Sequence, residues 1–310
     1  MNEGIFEFAG TLLASAIRIS LPITYGALGC MLCERAGIAT IGIEGMMLAG
    51  AFGAAYGSYL TGSALFGVFF AVLCGVIIAA IHAVLTIYFK TGHIISGFGI
   101  NLLASGVTVV LMEAIWGNRG KSPAVVSVRN IQVPSLQNVP ILGKIFGNIS
   151  PFFILMIVVI VAAHYVLFHT VAGLRLRAIG ENPRAVDSLG IKVYRTQFLW
   201  VLAGGVLAAL GGAYLSIGDI GLFSRNMVSG RGYIAIAVNI FGAWTPLGIF
   251  GASMLFSLAQ SIQYRLQAIN IPVQLVQILP YLLTTLALVF ARKARGPASV
   301  GIIFDREEDG

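Results

Sequence analysis

The residues best placed for chemistry with a partner stand together in Gly180-Glu181-Asn182-Pro183-Arg184-Ala185-Val186-Asp187-Ser188-Leu189-Gly190. Asn182 can accept a backbone N–H at the start of a helix, Pro183 fits the first helical position, and Gly190 supplies a left-handed stop. The spacing predicts a helix of about seven residues, roughly 10 Å long, too short to hold itself together in water. It must lie against something. Arg175, Arg177, Lys192 and Arg195 flank it, and the whole stretch 170–195 is a polar island between two apolar runs. A capped helix offered on such an island is a docking device. Pro183, Ala185, Val186 and Leu189 are expected to form or support its contact surface.

Other chemistry is excluded by spacing. Gly120-Lys121-Ser122 resembles the end of a phosphate-binding loop, but Ile115 stands where the first glycine is required and an apolar helix precedes it, so this chain is not expected to bind ATP. His82, His93, His164 and His169 include no H-E-x-x-H pair, and there is no G-x-S-x-G. No metal site and no catalytic residue are expected. Cys30 and Cys33 form a C-x-x-C without a second pair and read as small apolar residues.

The elements that must carry the docking helix are membrane spans. Of 310 residues, 58% are hydrophobic and 10% charged, against about 25% charged in soluble domains. Apolar runs near bilayer length fall at 9–32, 42–60, 64–89, 94–116, 151–169, 197–216, 246–264 and 273–291, with a shorter one at 232–243. The expectation is one all-α domain over residues 1–310, a polytopic bundle of about eight to ten transmembrane helices, with its first run retained as a span. The net charge of +7 is dispersed through loops, which speaks for orientation and against nucleic acid. Basic residues in 170–195, and Arg292, Lys293 and Arg295 after the last run, assign both segments to the cytoplasm. Residues 232–243 then cross separately, broken from 246–264 by Trp244-Thr245-Pro246. The connector at 117–150 and the acidic N-terminus, with Glu3 and Glu7, fall outside.

Inside the membrane, polar residues are costly and mark candidate pathways. Glu44 opens the second run, where it reads equally as an inner-rim residue or a pore group. Gly97, Asn101, Ser105 and Thr108 share one face of the fourth run, a pathway wall or a packing contact. Asn239 would face a cavity if 232–243 is a half-helix ending in a break. Small residues recur at four-residue spacing in Gly45, Ala49, Gly53, Gly57 and in Gly204, Ala208, Gly212, Ser216. Such ladders pack helices closely or let them slide.

Three strings carry a resemblance: Glu34-Arg35-Ala36-Gly37-Ile38-Ala39-Thr40-Ile41-Gly42-Ile43-Glu44-Gly45, Gly173-Leu174-Arg175-Leu176-Arg177-Ala178-Ile179-Gly180-Glu181-Asn182-Pro183, and Gly232-Tyr233-Ile234-Ala235-Ile236-Ala237 with Pro246-Leu247-Gly248. The chain resembles permease subunits of ABC importers for simple sugars and nucleosides, most of all the shorter of two sister permeases in bacterial nucleoside importers. That resemblance implies a multi-pass subunit of the bacterial plasma membrane, paired with a second permease. A cytoplasmic ABC ATPase that holds the ATP and Mg would join them, with an external substrate-binding lipoprotein. It also makes 170–195 the coupling loop, with Arg175, Arg177, Gly180, Glu181, Asn182, Pro183, Arg184, Ala185, Val186, Asp187, Leu189 and Gly190 meeting the ATPase. Glu44, Asn101, Ser105 and Asn239 are the candidate substrate pathway. The substrate expected is a nucleoside, with a sugar such as ribose, or an ion-coupled transporter, as alternatives.

Overall fold

The computed structural model describes residues 2–134, 143–144, 147–267 and 296–305, and these are mostly helical. The helices are α1 (Asn2–Arg35), α2 (Ile43–Thr61), α3 (Ala64–Ala83, prolonged as a π-helix over Val84–Tyr88), α4 (His93–Trp116), α5 (Pro151–His169), α6 (Val171–Glu181), α7 (Pro183–Ser188), α8 (Val193–Ala213, prolonged as a π-helix over Tyr214–Ile220), α9 (Arg231–Phe241) and α10 (Pro246–Gln267). Among the described residues, five helical stretches, Ala9–Arg35, Ala64–Tyr88, His93–Trp116, Pro151–His169 and Val193–Ile220, are long and apolar enough to cross a membrane. The short run expected at 232–243 is α9, broken from α10 as anticipated. The run at 273–291 and the basic cluster Arg292, Lys293 and Arg295 lie outside the described residues, as do the side chains of Glu3 and Glu7. The connector adds what hydropathy did not foresee: β1 (Ile131–Gln132) pairs antiparallel with β2 (Asn148–Ile149).

The centre of the bundle is α1, α2 and α8. Every residue of α2 from Ile43 to Ala55 is buried, as expected for a helix without a polar face. By contrast α3 turns Leu65, Phe66, Phe69, Leu73 and Ile77 outward, an apolar face suited to lipid. Glycine makes the centre possible. A Cβ on Gly29 of α1 would stand 2.5 Å from the Gly204 carbonyl of α8, and one on Gly50 of α2 would stand 2.5 Å from Ala209 Cα. The two ladders serve different interfaces. Gly45 lies on α4, where an added Cβ would meet Asn101 Oδ1 and the Ile100 carbonyl at 2.9 Å, whereas Gly53 and Gly57 lie on α3. Gly204 rests on α1 and Gly212 on α2, where its added Cβ would overlap the Met47 carbonyl.

Trp116 packs against Phe52 and Tyr59, with ring centroids 5.5 and 5.9 Å away. It belongs to an aromatic cluster at the connector end of the bundle.

Leucine at Gly53 would have to displace the Phe70 carbonyl, 2.7 Å from the added Cβ, and Cys74 Sγ at 2.8 Å. Gly53→Leu is therefore expected to cost about 1–3 kcal/mol, read as a lower melting temperature of the detergent-purified protein. Gly99→Leu, where nothing lies within 4 Å of the added Cβ, is the control expected to melt like the wild type; equal melting of both variants would refute the close contact.

Candidate functional site: a docking loop joined to a half-helix

The docking helix is capped as its sequence demands. Asn182 Oδ1 accepts the Ala185 N–H at 3.1 Å, Pro183 takes the first turn, and Gly190 has φ +79°. Sequence reasoning missed the helix before it, α6, which begins where Thr170 Oγ1 accepts the Gly173 N–H at 3.2 Å. It expected Val186 to form or support the contact surface of α7, without saying what lies beneath it. Instead Val186 is 4% exposed and packs with Ile179, Val193 and Phe304 of the same chain. The outward surface comprises Arg175, Glu181, Asn182, Arg184, Ala185, Leu189 and Gly190, with Pro183 and Asp187 half-buried. Arg177 turns inward, its guanidinium 5.2 Å from the Phe168 ring centroid.

This loop is fastened to the end of α1. Gly180 abuts the Arg35 carbonyl so closely that an added Cβ would overlap it. Ser299 donates its N–H to the Gly180 carbonyl at 2.9 Å, and its hydroxyl reaches the carbonyls of Gly180 at 2.7 Å and Ile179 at 3.1 Å. Gly301 N–H donates to Gly37 at 3.1 Å, Gln197 Nε2 to Ala36 at 2.9 Å, and Lys90 pairs with Asp305. Residues 296–305 thus strap the docking loop to α1, α4's approach and α8. Phe304 carries no polar signal that could have announced this.

From the same end of α1 two residues reach the break between α9 and α10. Glu34 Oε2 accepts Trp244 Nε1–H at 2.5 Å and Asn239 Nδ2–H at 2.8 Å. Arg35 donates from Nε and Nη2 to the Trp244 carbonyl, at 3.1 and 2.8 Å. Ala243 and Trp244 both have φ +52°, a region that non-glycine residues seldom enter. Asn239 is fully enclosed here, with its Nδ2 also 3.6 Å from Cys30 Sγ.

The other end of α9 meets a second carboxylate. Glu44 Oε1 accepts the Gly230 N–H at 2.8 Å and Oε2 the Gly232 N–H at 2.7 Å. Glu44 is itself in the first turn of α2, so two helix N-termini converge on it. Its depth differs from the rim position the sequence left open. Gly45 contacts Asn101, eight residues into α4, and Ile43 contacts Gly26, nine residues before the end of α1; at 1.5 Å per residue, Glu44 lies roughly 12–14 Å into the bundle.

Asn101 lies beside it as a clip: Oδ1 accepts the Gly45 N–H at 2.7 Å, and Nδ2 donates to the Ile41 carbonyl and Tyr233 Oη, each at 3.1 Å. Ser105 is half-buried one turn along. Tyr233, overlooked in the sequence, is 44% exposed. Above it an irregular stretch descends from Arg225, whose N–H donates to the Gly120 carbonyl at 2.8 Å, to Gly230 at Glu44. Arg225, Asn226 and Ser229 are exposed along it. Exposed irregular backbone at such depth is tolerated against protein or a water-filled cavity, not against lipid. Of the four expected pathway residues, Asn101 and Ser105 border this face, while Glu44 and Asn239 are enclosed behind it.

Several long apolar helices, packed with broken ones, mark a multi-pass membrane protein. Residues 12–288 match the family described as "Branched-chain amino acid transport system / permease component", and the chain belongs to that family of ABC transporter permeases. It is 37% identical to the nucleoside ABC transporter permease protein NupC of Lactococcus lactis, covering 94% of this chain and 95% of that one. It is 32% identical to the guanosine ABC transporter permease protein NupQ of Bacillus subtilis, covering 96% and 97%. The putative glucose ABC transporter permease protein TsgC13 of Haloferax volcanii is 30% identical, over 86% and 80%.

Removing the Glu44 carboxylate strands two backbone donors at the start of α9. Glu44→Ala is expected to destabilise the protein by about 1–3 kcal/mol, and Glu44→Gln, which keeps one acceptor, by less. Thermal unfolding in detergent orders the three proteins; equal stability of Glu44→Ala and wild type would sink the assignment.

Proposed function

We propose that this chain is the membrane-spanning permease subunit of an ATP-driven importer of nucleosides in the bacterial plasma membrane. The observation that carries the reading is the exposed, capped helix α7, which follows α6 where Gly180 rests on the end of α1, in a chain similar over nearly its full length to nucleoside and guanosine permeases. The chain needs no catalytic residue, metal or cofactor of its own. ATP and Mg belong to a cytoplasmic ABC ATPase, which docks on Ala185, Leu189 and Arg184 and their exposed neighbours. A second, sister permease completes the pathway, and an external substrate-binding lipoprotein delivers substrate at the connector end. Counting α2, α9, α10 and the run at 273–291, the bundle has about eight to ten crossings.

The face formed by Ser229, Tyr233, Asn101 and Ser105 supports the substrate class. It offers the hydroxyls of Ser229, Ser105 and Tyr233 and one aromatic face, with no carboxylate among these four residues, which suits a neutral polar molecule with a ring. Ribose would use the hydroxyl groups equally well; a base adds stacking on Tyr233. Weak attraction is sufficient, because the external protein supplies affinity and a sticky path would slow release. An ion-coupled mechanism would need a carboxylate free to exchange partners, whereas both oxygens of Glu44 are taken by backbone N–H groups.

Ala185→Trp puts an indole on the outward face of α7. ATP-driven uptake in vesicles, sensitive to orthovanadate in the wild type, is expected to fall by about tenfold or more while membrane insertion is unchanged. Wild-type uptake by the variant, with its ATPase bound, would overturn the docking surface. Separately, unlabelled purine nucleosides are expected to compete with labelled nucleoside uptake, and free ribose and leucine to leave it unaffected. Block by ribose or leucine at low concentration, with nucleosides inert, would refute the substrate and leave the importer standing.

A further inference from the structure

Helix α9 is held at both ends by carboxylates from other helices, and the two holds differ in kind. At its N-terminus, directly after Ser229 at φ +50°, Glu44 accepts two backbone N–H groups of the helix start. At its C-terminus, Glu34 and Arg35 grip a turn in which two successive non-glycine residues, Ala243 and Trp244, have φ +52°. Backbone held in such a sparsely populated region persists where its surroundings over-determine it, and it clusters in switch segments. The surroundings here are the last turn of α1, whose Arg35 carbonyl is the surface on which Gly180 of the docking loop rests.

We propose that Glu34 is a positioning residue for transport: it fixes the α9–α10 break to the end of α1, so that displacement of the docking loop turns α9 and the Tyr233 face it carries. The inference rests on the importer reading above. The chain of contacts is continuous. Gly180 bears on Arg35; Arg35 and Glu34 bind Trp244; Glu34 binds Asn239 within α9; and six residues before Asn239, Tyr233 bonds Asn101 of α4. Glu34 Oε2 alone takes both side-chain donors, the Trp244 indole and the Asn239 amide. Without that atom, the hydrogen bonds left between this region and α1 among the described residues are those of Arg35 to the Trp244 carbonyl and the long contact of Asn239 with Cys30 Sγ, and α9 can lag when the docking loop moves.

The test uses the complete transporter in proteoliposomes, with nucleoside uptake and ATP hydrolysis measured on the same samples. Glu34→Ala is expected to assemble and hydrolyse ATP like the wild type while molecules transported per ATP fall by about tenfold, within the range of one coupling contact. Glu34→Gln, whose side-chain oxygen can accept both donors, is expected to restore the ratio to within about twofold of wild type. Trp244→Phe removes one donor and keeps the ring, so it decides the matter if Glu34→Ala fails to assemble; a reduced ratio with normal assembly supports the joint. An unchanged transport-to-ATP ratio in Trp244→Phe and in any assembled Glu34→Ala, or failure of Glu34→Gln to recover, overturns it. Absence of ATP-driven uptake in the wild type would instead overturn the importer reading itself.

Discussion

Everything in this bundle is arranged around a carboxylate that stands where two helices begin. Glu44 lies in the first turn of α2 and accepts the N–H groups that open α9. An unpaired carboxylate at that depth would cost several kcal/mol. Two charge-assisted hydrogen bonds of about 1.5–3 kcal/mol each, together with the positive ends of two helix dipoles, offset that cost. Broken helices usually aim their N-termini at a bound anion. Here the protein supplies the carboxylate from its own chain, and both of its oxygens are taken by the start of α9.

The interior must then bring α2, α9 and their neighbours close enough for a short side chain to bridge them. Even a methyl at the contact positions would hold these helices apart. A Cβ on Gly232 would stand 2.6 Å from Glu44 Cα, and one on Gly26 would stand 3.0 Å from Ala235 Cβ. Glycine at Gly232 is therefore as much a part of the Glu44 contact as the carboxylate. The same economy lets α8 thread between α1, α2 and α3, since helices in lipid gain from packing and polar contacts and not from a hydrophobic force between them.

At the docking-loop end the bonding is of another type. Ser299, Gln197 and Arg35 all donate from their side chains to backbone carbonyls, so the last turns of α1, the end of α6 and the α9–α10 break are tied through acceptors that move only with the backbone. Phe304 supplies the apolar floor beneath α7. Segments distant in sequence thus meet at one joint, with the positive-φ turn Ala243–Trp244 at its edge.

The sequence by itself determined the helical class, the positions of the apolar runs, the caps of α7 and the interruption at Trp244-Thr245-Pro246. Each is a local property: hydropathy over a bilayer length, an Asn-Pro start, a proline that ends one helix and starts another. Its strings also carried the family. It could not decide the depth of Glu44, because the segment from Ala36 to Gly42 looks like an ordinary loop yet leads α2 back inside the bundle. Nor could it decide the role of Asn101, whose amide is taken up by Gly45, Ile41 and Tyr233, or that Asn239 would meet Glu34. It did not reveal that Val186 would be covered from within, since Phe304 lies more than a hundred residues further along the chain. Such pairings depend on which helix faces arrive at the same place, and period and spacing within one segment hold no information about the segment opposite. Only the tertiary structure decides them.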